Sequence, residues 1–178
     1  MPPSQYDATM RTDFDRAAEI VRLAAEFEWT WSRDDLDRFC AAAGWTVTEY
    51  RELGASITTG LNIARPGGTA NLDVNSVKKI DFGVTDSLGE QEAESSGLLG
   101  VWFTGLCSRL LTELGLPTRR EEGRMRWDLP TVVVTAFRGE RKDFVSIASP
   151  QYEAEQDQID EYIDKWDEYF GSSSDEEV

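Results

Sequence analysis

Three patterns predict an α+β fold, an antiparallel sheet from two strand groups separated by a central helix, with helices packed on it and at both ends. Apolar residues recur at three- and four-residue steps in four stretches, the period drops to two elsewhere, and the strand-like segments come in runs rather than alternating with helices. A length of 178 residues suits one well-buried core. One domain is expected over 13–170, between a flexible N-terminus, 1–12, and a disordered acidic tail, 171–178, both lacking apolar periodicity.

The elements follow in order. Phe14, Ala17, Ala18, Val21, Ala24 and Ala25 give the first helix its buried stripe across 13–27. Glu28-Trp29-Thr30-Trp31 breaks the rhythm. Ser32 reads as the N-cap of a second helix, with Asp35 completing a capping box, Leu36, Phe39, Cys40 and Ala43 on its inner face, and Gly44 closing it. From Trp45 the period is two, and Val47, Ile57, Leu61 and Ile63 carry it to a type II turn at Arg65-Pro66-Gly67-Gly68. Leu72 and Val74 open a return strand, and Val77, Ile80, Phe82 and Val84 make another, so three or four antiparallel strands are implied.

Ser87-Leu88-Gly89-Glu90 fits a capping box ahead of the central helix, whose wide stripe of Leu99, Trp102, Phe103, Leu106, Cys107, Leu110, Leu111 and Leu114 ends at Gly115. A second strand group follows at 125–129, 131–137 and 143–148. The unbroken Val132-Val133-Val134 reads as an inner strand covered on both faces. The last helix, 151–170, separates most cleanly. Tyr152, Ile159, Tyr162, Ile163, Trp166, Tyr169 and Phe170 share one side, and Glu153, Asp157, Asp160, Glu161, Asp164, Asp167 and Glu168 the other. The aromatic side is expected to dock on the core and the acidic side to face outward.

Charge narrows the functional classes. The net charge is −16, and residues 151–178 hold eleven acids against the single base Lys165. Such a field repels phosphate backbones, so no nucleic-acid partner is expected, while a basic protein is drawn in. Composition adds a soluble, cytoplasmic expectation, because no apolar leader and no membrane-length apolar run is present. Cys40 and Cys107 each sit in a helical apolar pattern and read as buried free thiols.

The chain has no histidine, which removes Ser-His-Asp and Cys-His catalysis and the helical zinc motif together. With two distant cysteines and no histidine, neither a metal site nor a cofactor is expected. Carboxylate chemistry survives, so Glu49, Asp73 and Asp81 form the alternative reading: a carboxylate-dependent enzyme with or without a divalent ion. Gly67-Gly68 reads as a turn and not a phosphate loop, since no Lys-Ser or Lys-Thr follows. A basic island of Arg119, Arg120, Arg124, Arg126, Arg138, Arg141 and Lys142 reads as charge that offsets acids elsewhere in the fold. Trp29 and Trp31 read as core anchors, or as binding hot spots if exposed.

The segment Glu28-Trp29-Thr30-Trp31, leading into Asp34, Asp35, Leu36 and Phe39 and then Gly44-Trp45, resembles an uncharacterised actinobacterial family known only as a domain of unknown function. That resemblance covers most of the chain and implies no active site. The element order is also similar to the secretion-chaperone-like fold of type III chaperones and YbjN-type proteins, which implies binding of protein partners. The SUKH group of immunity proteins shares the pairing of N-terminal helices with an antiparallel sheet, but its Asp-Tyr and Asn-Gly signals find no place here.

The expected function is therefore a non-enzymatic, acidic protein-binding domain, an immunity-type or chaperone-like protein that masks a basic toxin or effector. Its partner-binding residues are Glu153, Asp157, Asp160, Glu161, Asp164, Asp167 and Glu168. A monomer is expected, because like-charged helices resist symmetric pairing.

Overall fold

A computed structural model describes residues 10–95 and 97–171. The expected loose ends therefore fall largely outside the described residues, at 1–9 and 172–178. From Met10 onward the chain is tied down: the Arg11 amide donates to Asp86, and Thr12 bridges to Thr85.

The chain runs α1 (Phe14–Glu26), α2 (Asp34–Ala43), β1 (Thr46–Arg51), β2 (Gly54–Thr58), β3 (Gly67–Leu72), β4 (Val77–Gly83), α3 (Glu90–Ser95) and α4 (Leu98–Leu114). It continues β5 (Arg119–Glu121), β6 (Arg124–Asp128), β7 (Val133–Arg138), β8 (Asp143–Ala148) and α5 (Pro150–Gly171). The fold is α+β. Its eight strands form one antiparallel sheet in the order β1-β2-β3-β4-β8-β7-β6-β5, so the two strand groups meet at the β4–β8 pair. Each meander follows two helices, and replacing β1–β4 by β5–β8 maps the strand order onto itself in reverse. The topology thus has a two-fold character that the amino-acid sequence does not display as a repeat.

Opposed residues on neighbouring strands share a face, and here the two faces differ in chemistry. Ala55, Ala70, Ile80, Ile147, Val134 and Trp127 form one cross-strand row, and Ile57, Gly68, Phe82, Val145, Ala136 and Met125 another. These rows pack with Ala17, Ile20 and Val21 of α1, Leu36 and Phe39 of α2, and Leu106 and Leu110 of α4 in a single apolar core. On the other face the row Thr69, Asp81, Ser146, Thr135, Arg126 and Arg119 is polar.

Several local expectations need correction. Gly67 and Gly68 lie inside β3, not in a turn. A Cβ at Gly68 would sit 2.7 Å from the Asp81 carbonyl oxygen, so the residue is small because β4 passes close by. Strand β2 ends at Thr58, and Leu61 and Ile63 are buried from an irregular connection. Leu72 ends β3 rather than opening a strand, and Val74 is exposed in the following turn. The stretch read as one capped central helix is two, α3 and α4, divided at Gly97, whose φ of 63° is left-handed. The short strand β5 carried no apolar alternation and was not expected.

Candidate functional site

The terminal helix α5 follows β8 directly, and its first turns lie over the polar face of the sheet. Ser149 accepts the Glu153 amide at its carbonyl oxygen, closing the first turn. Glu153 and Asp157, one turn apart on the same helix face, both reach Arg126 on β6. Arg126 Nη1 lies 2.8 Å from Asp157 Oδ1 and 3.5 Å from Glu153 Oε2, while Nη2 and Nε both donate to Asp128 Oδ1, at 2.7 and 3.0 Å. Arg119 on β5 adds a forked pair to Asp157, with both contacts at 3.3 Å. Arg126 and Glu153 are buried, so this is an enclosed ionic clamp.

Electrostatics within the clamp follow depth and distance. Burial raises the Glu153 carboxyl above its usual range, although Arg126 and then Arg124 pull the other way. Burial acts on Asp157 in the same sense, but its hydrogen bond to Arg126, that residue's charge and Arg119 together outweigh it and leave the carboxyl low. Glu153 is the more deeply buried, while Asp157 holds the shorter contact with the shared guanidinium and has Arg119 as well, which together account for the opposite directions.

Beyond Asp157 the helix leaves the sheet. Its aromatic side was expected to dock on the core; instead Ile159 is 50% exposed, Tyr162 61%, Ile163 50% and Trp166 47%. Tyr169 and Phe170 are exposed as well. The rings follow one another along the helix: Tyr162 lies tilted against Trp166, with centroids 5.8 Å apart, and Trp166 stacks on Phe170 at 4.8 Å. The helix is thus held at its base by ion pairs. The seven acidic residues singled out from the sequence divide accordingly: Glu153 and Asp157 are engaged by the chain's own arginines, whereas Asp160, Glu161, Asp164, Asp167 and Glu168 lie on the exposed half. Asp160, Glu161 and Asp164 face Arg119 and Glu121 across a notch between α5 and β5.

The sequence placed Arg119 and Arg126 in a basic island that offsets acids elsewhere in the fold, as they do, but did not identify those acids as Glu153 and Asp157 of α5. The available signal was the i, i+4 spacing of Glu153 and Asp157, which puts two acids on one face of the first turns, where the single strong basic island can meet them.

The alternative carboxylates do not converge. Glu49 on β1 pairs with Arg51, Asp81 on β4 with Lys79 at 3.2 Å, and Asp73 in the β3–β4 turn lies 4.0 Å from Lys78. Glu49 and Asp81 stand three strand spacings apart in one row, roughly 14 Å. Among the described residues no group of three or more His, Cys, Asp or Glu side chains is placed to hold a metal ion. No helix of the described residues is long and apolar enough to cross a membrane. Cys40 and Cys107 are buried free thiols, pushed up by burial to about 12 and about 11.

Trp29 and Trp31 are half-buried and stacked, with centroids 4.1 Å apart and planes 8° from parallel. The expected N-cap at Ser32 is not formed; Arg33 holds that position, and its guanidinium donates to the Arg51, Glu52 and Asp73 carbonyls instead of capping the helix. Asp35 instead reaches back from the first turn of α2, where its Oδ2 accepts the Thr30 and Trp31 amides, both at 2.7 Å, and its Oδ1 pairs with Arg38. That pair of hydrogen bonds from the backbone holds Trp31 at a φ of 57°, unusual for a large side chain.

No curated protein and no solved structure matches the chain. A family profile matches residues 15–149, the span from α1 through β8 that ends where α5 begins. The chain belongs to that family, a family of unknown function (DUF6301).

Proposed function

We propose that the protein is a non-enzymatic, acidic protein-binding domain that engages a basic partner through the exposed half of α5. One observation carries this reading: Ile159, Tyr162, Ile163 and Trp166 recur at i, i+3, i+4 and i+7, all about half exposed or more, on a helix whose other side is acidic. That is the anchor pattern of an amphipathic helix laid into an apolar groove. From Gln158 to Gly171 the helix offers a rod about 20 Å long. Its five acids, Asp160, Glu161, Asp164, Asp167 and Glu168, against Lys165 alone select a groove rimmed by lysine and arginine. The rings would supply most of the affinity and the carboxylates the encounter rate.

The biological role most consistent with such a surface is masking: an immunity-type or chaperone-like protein that covers a basic toxin or effector. Only the free acids belong to this surface; Glu153 and Asp157 position the helix. Asp73, Asp81 and Glu49 give the enzymatic alternative no support, since they do not share a pocket.

The test is affinity capture from the source cells with three proteins: wild type, the Asp160→Lys/Asp164→Lys double variant and the Ile163→Ser/Trp166→Ser double variant. A basic protein retained by wild type and lost by both variants supports the reading. A captured set unchanged by either variant overturns it, and a concentration-dependent dimer in light scattering would replace the foreign partner with a second copy.

A further inference from the structure

A cleft of about 360 Å³ lies on the side of the molecule where the Trp31 turn, the β3–β4 turn and the first turns of α5 meet. Its walls include Trp31, Asp73, Ser149, Tyr152 and Glu155. We infer that this cleft binds a guanidinium or alkylammonium group, the head of an arginine or lysine side chain, between the Trp31 ring and the Asp73 and Glu155 carboxylates. The site is separate from the exposed half of α5 and stands or falls independently of it.

The walls are fixed before any ligand arrives. The Trp31 carbonyl accepts the Val77 amide at 2.9 Å, and the Arg33 amide donates to the Asn75 carbonyl, so the two turns are laced together. The Trp31 indole Nε1 donates to the Thr131 carbonyl at 3.0 Å, and Trp29 stacks on the ring, which fixes its plane. Ser149 ties the third wall, donating its amide to the Lys78 carbonyl. A rigid, half-buried indole with a π-face is a surface on which a cation is attracted by the ring quadrupole.

The polar lining favours a donor-rich guest. Asp73 Oδ1 accepts the Val74 amide at 2.8 Å, while its Oδ2 has only the 4.0 Å contact with Lys78. Glu155 Oε1 accepts from Gln151 at 3.2 Å, and its Oε2 has no partner among the described residues. Each carboxylate therefore keeps acceptor capacity that a guanidinium fork can use. Among the described residues Lys78 is the one cation on the lining, and it competes with the guest for Asp73.

The experiment is a titration of the isotopically labelled full chain with L-argininamide, read from the amides of Ser76 and Tyr152 and from the Trp31 indole N–H, assigned through Trp31→Phe. L-Citrullinamide, which keeps the α-amino group and replaces the guanidinium by a neutral urea of the same shape, is the control. Saturable perturbations centred on those groups, several-fold tighter for argininamide, are expected. Glu155→Gln and Asp73→Asn should each weaken binding about threefold, as for a partly exposed ion pair, and Lys78→Gln should strengthen it by a similar factor. Equal binding of the two amides would overturn the assignment. So would the absence of saturation, or shifts confined to Asp160–Glu168, which would mark general attraction to the acidic helix. Because the probe is a small cation, failure here leaves the capture experiment on α5 unaffected.

Discussion

Asp143, at the start of β8, is fully buried, and neither of its carboxylate oxygens has a hydrogen-bond partner among the described residues. Its amide donates to Thr85 Oγ1 and its carbonyl accepts the Val84 amide, so the backbone is satisfied while the side chain is not. The charged group bearing on it is Arg138, opposite in β7; Asp143 in turn weakens the acidity of the buried Cys107 thiol of α4. Burial pushes the carboxyl from an ordinary 3.8 up to about 7, with Arg138 opposing. Between those two values the native state holds a proton that the unfolded chain has released, so stability falls as pH rises. The contribution is intact below the ordinary carboxylate range and fully lost once pH exceeds about 7. At 1.36 kcal/mol per pH unit the whole span is worth about 4 kcal/mol. Asp143→Asn keeps the shape and removes the charge. Urea unfolding followed by tryptophan fluorescence should show the two proteins diverging from about pH 4 to about pH 8, with the variant ahead by up to about 4 kcal/mol at the upper end. Glu153, raised, and Asp157, lowered, act in opposite directions but equally in both proteins. Parallel stability curves across that range would refute the reasoning.

Two further perturbations test the anchoring of α5 and the Trp turn. Arg126→Met strands Glu153 in a buried position and should cost about 3–5 kcal/mol in urea unfolding, whereas Arg119→Met, on a half-exposed side chain, should cost under about 1 kcal/mol. Asp35→Ala leaves the Thr30 and Trp31 amides without their acceptor; a loss of about 2 kcal/mol and a weakened near-ultraviolet signal from the Trp29–Trp31 stack are expected in circular dichroism.

Periodicity located most of the fold because burial imposes it. The α1 stripe, Gly44 as a left-handed C-cap at φ 70°, the β4 alternation and the Val132–Val134 run are all consequences of one buried face or two. Features set by distant parts of the chain were not legible. Gly67-Gly68 has turn composition, yet the close passage of β4 is what requires Gly68 to be small. Asp35 fits a capping box by spacing, but it serves the Trp31 backbone. The same limit applied to α5. Its amphipathicity predicted a helix correctly, over Pro150–Gly171, and implied a docked aromatic side. An apolar stripe records only that a surface is suited to burial, and here the sheet meets α5 through Arg126 and Arg119 at its base. The acids that position α5 and the acids left exposed are alike in sequence and differ only in what lies across from them.

The most direct test of α5 as the recognition element is hydrogen–deuterium exchange of the full chain, alone and with the captured basic protein. New protection across Gln158–Gly171, with little change in β1–β4, is the expected result. Protection confined to the sheet or to α1 and α2, with α5 exchanging as fast as in the free protein, would contradict it.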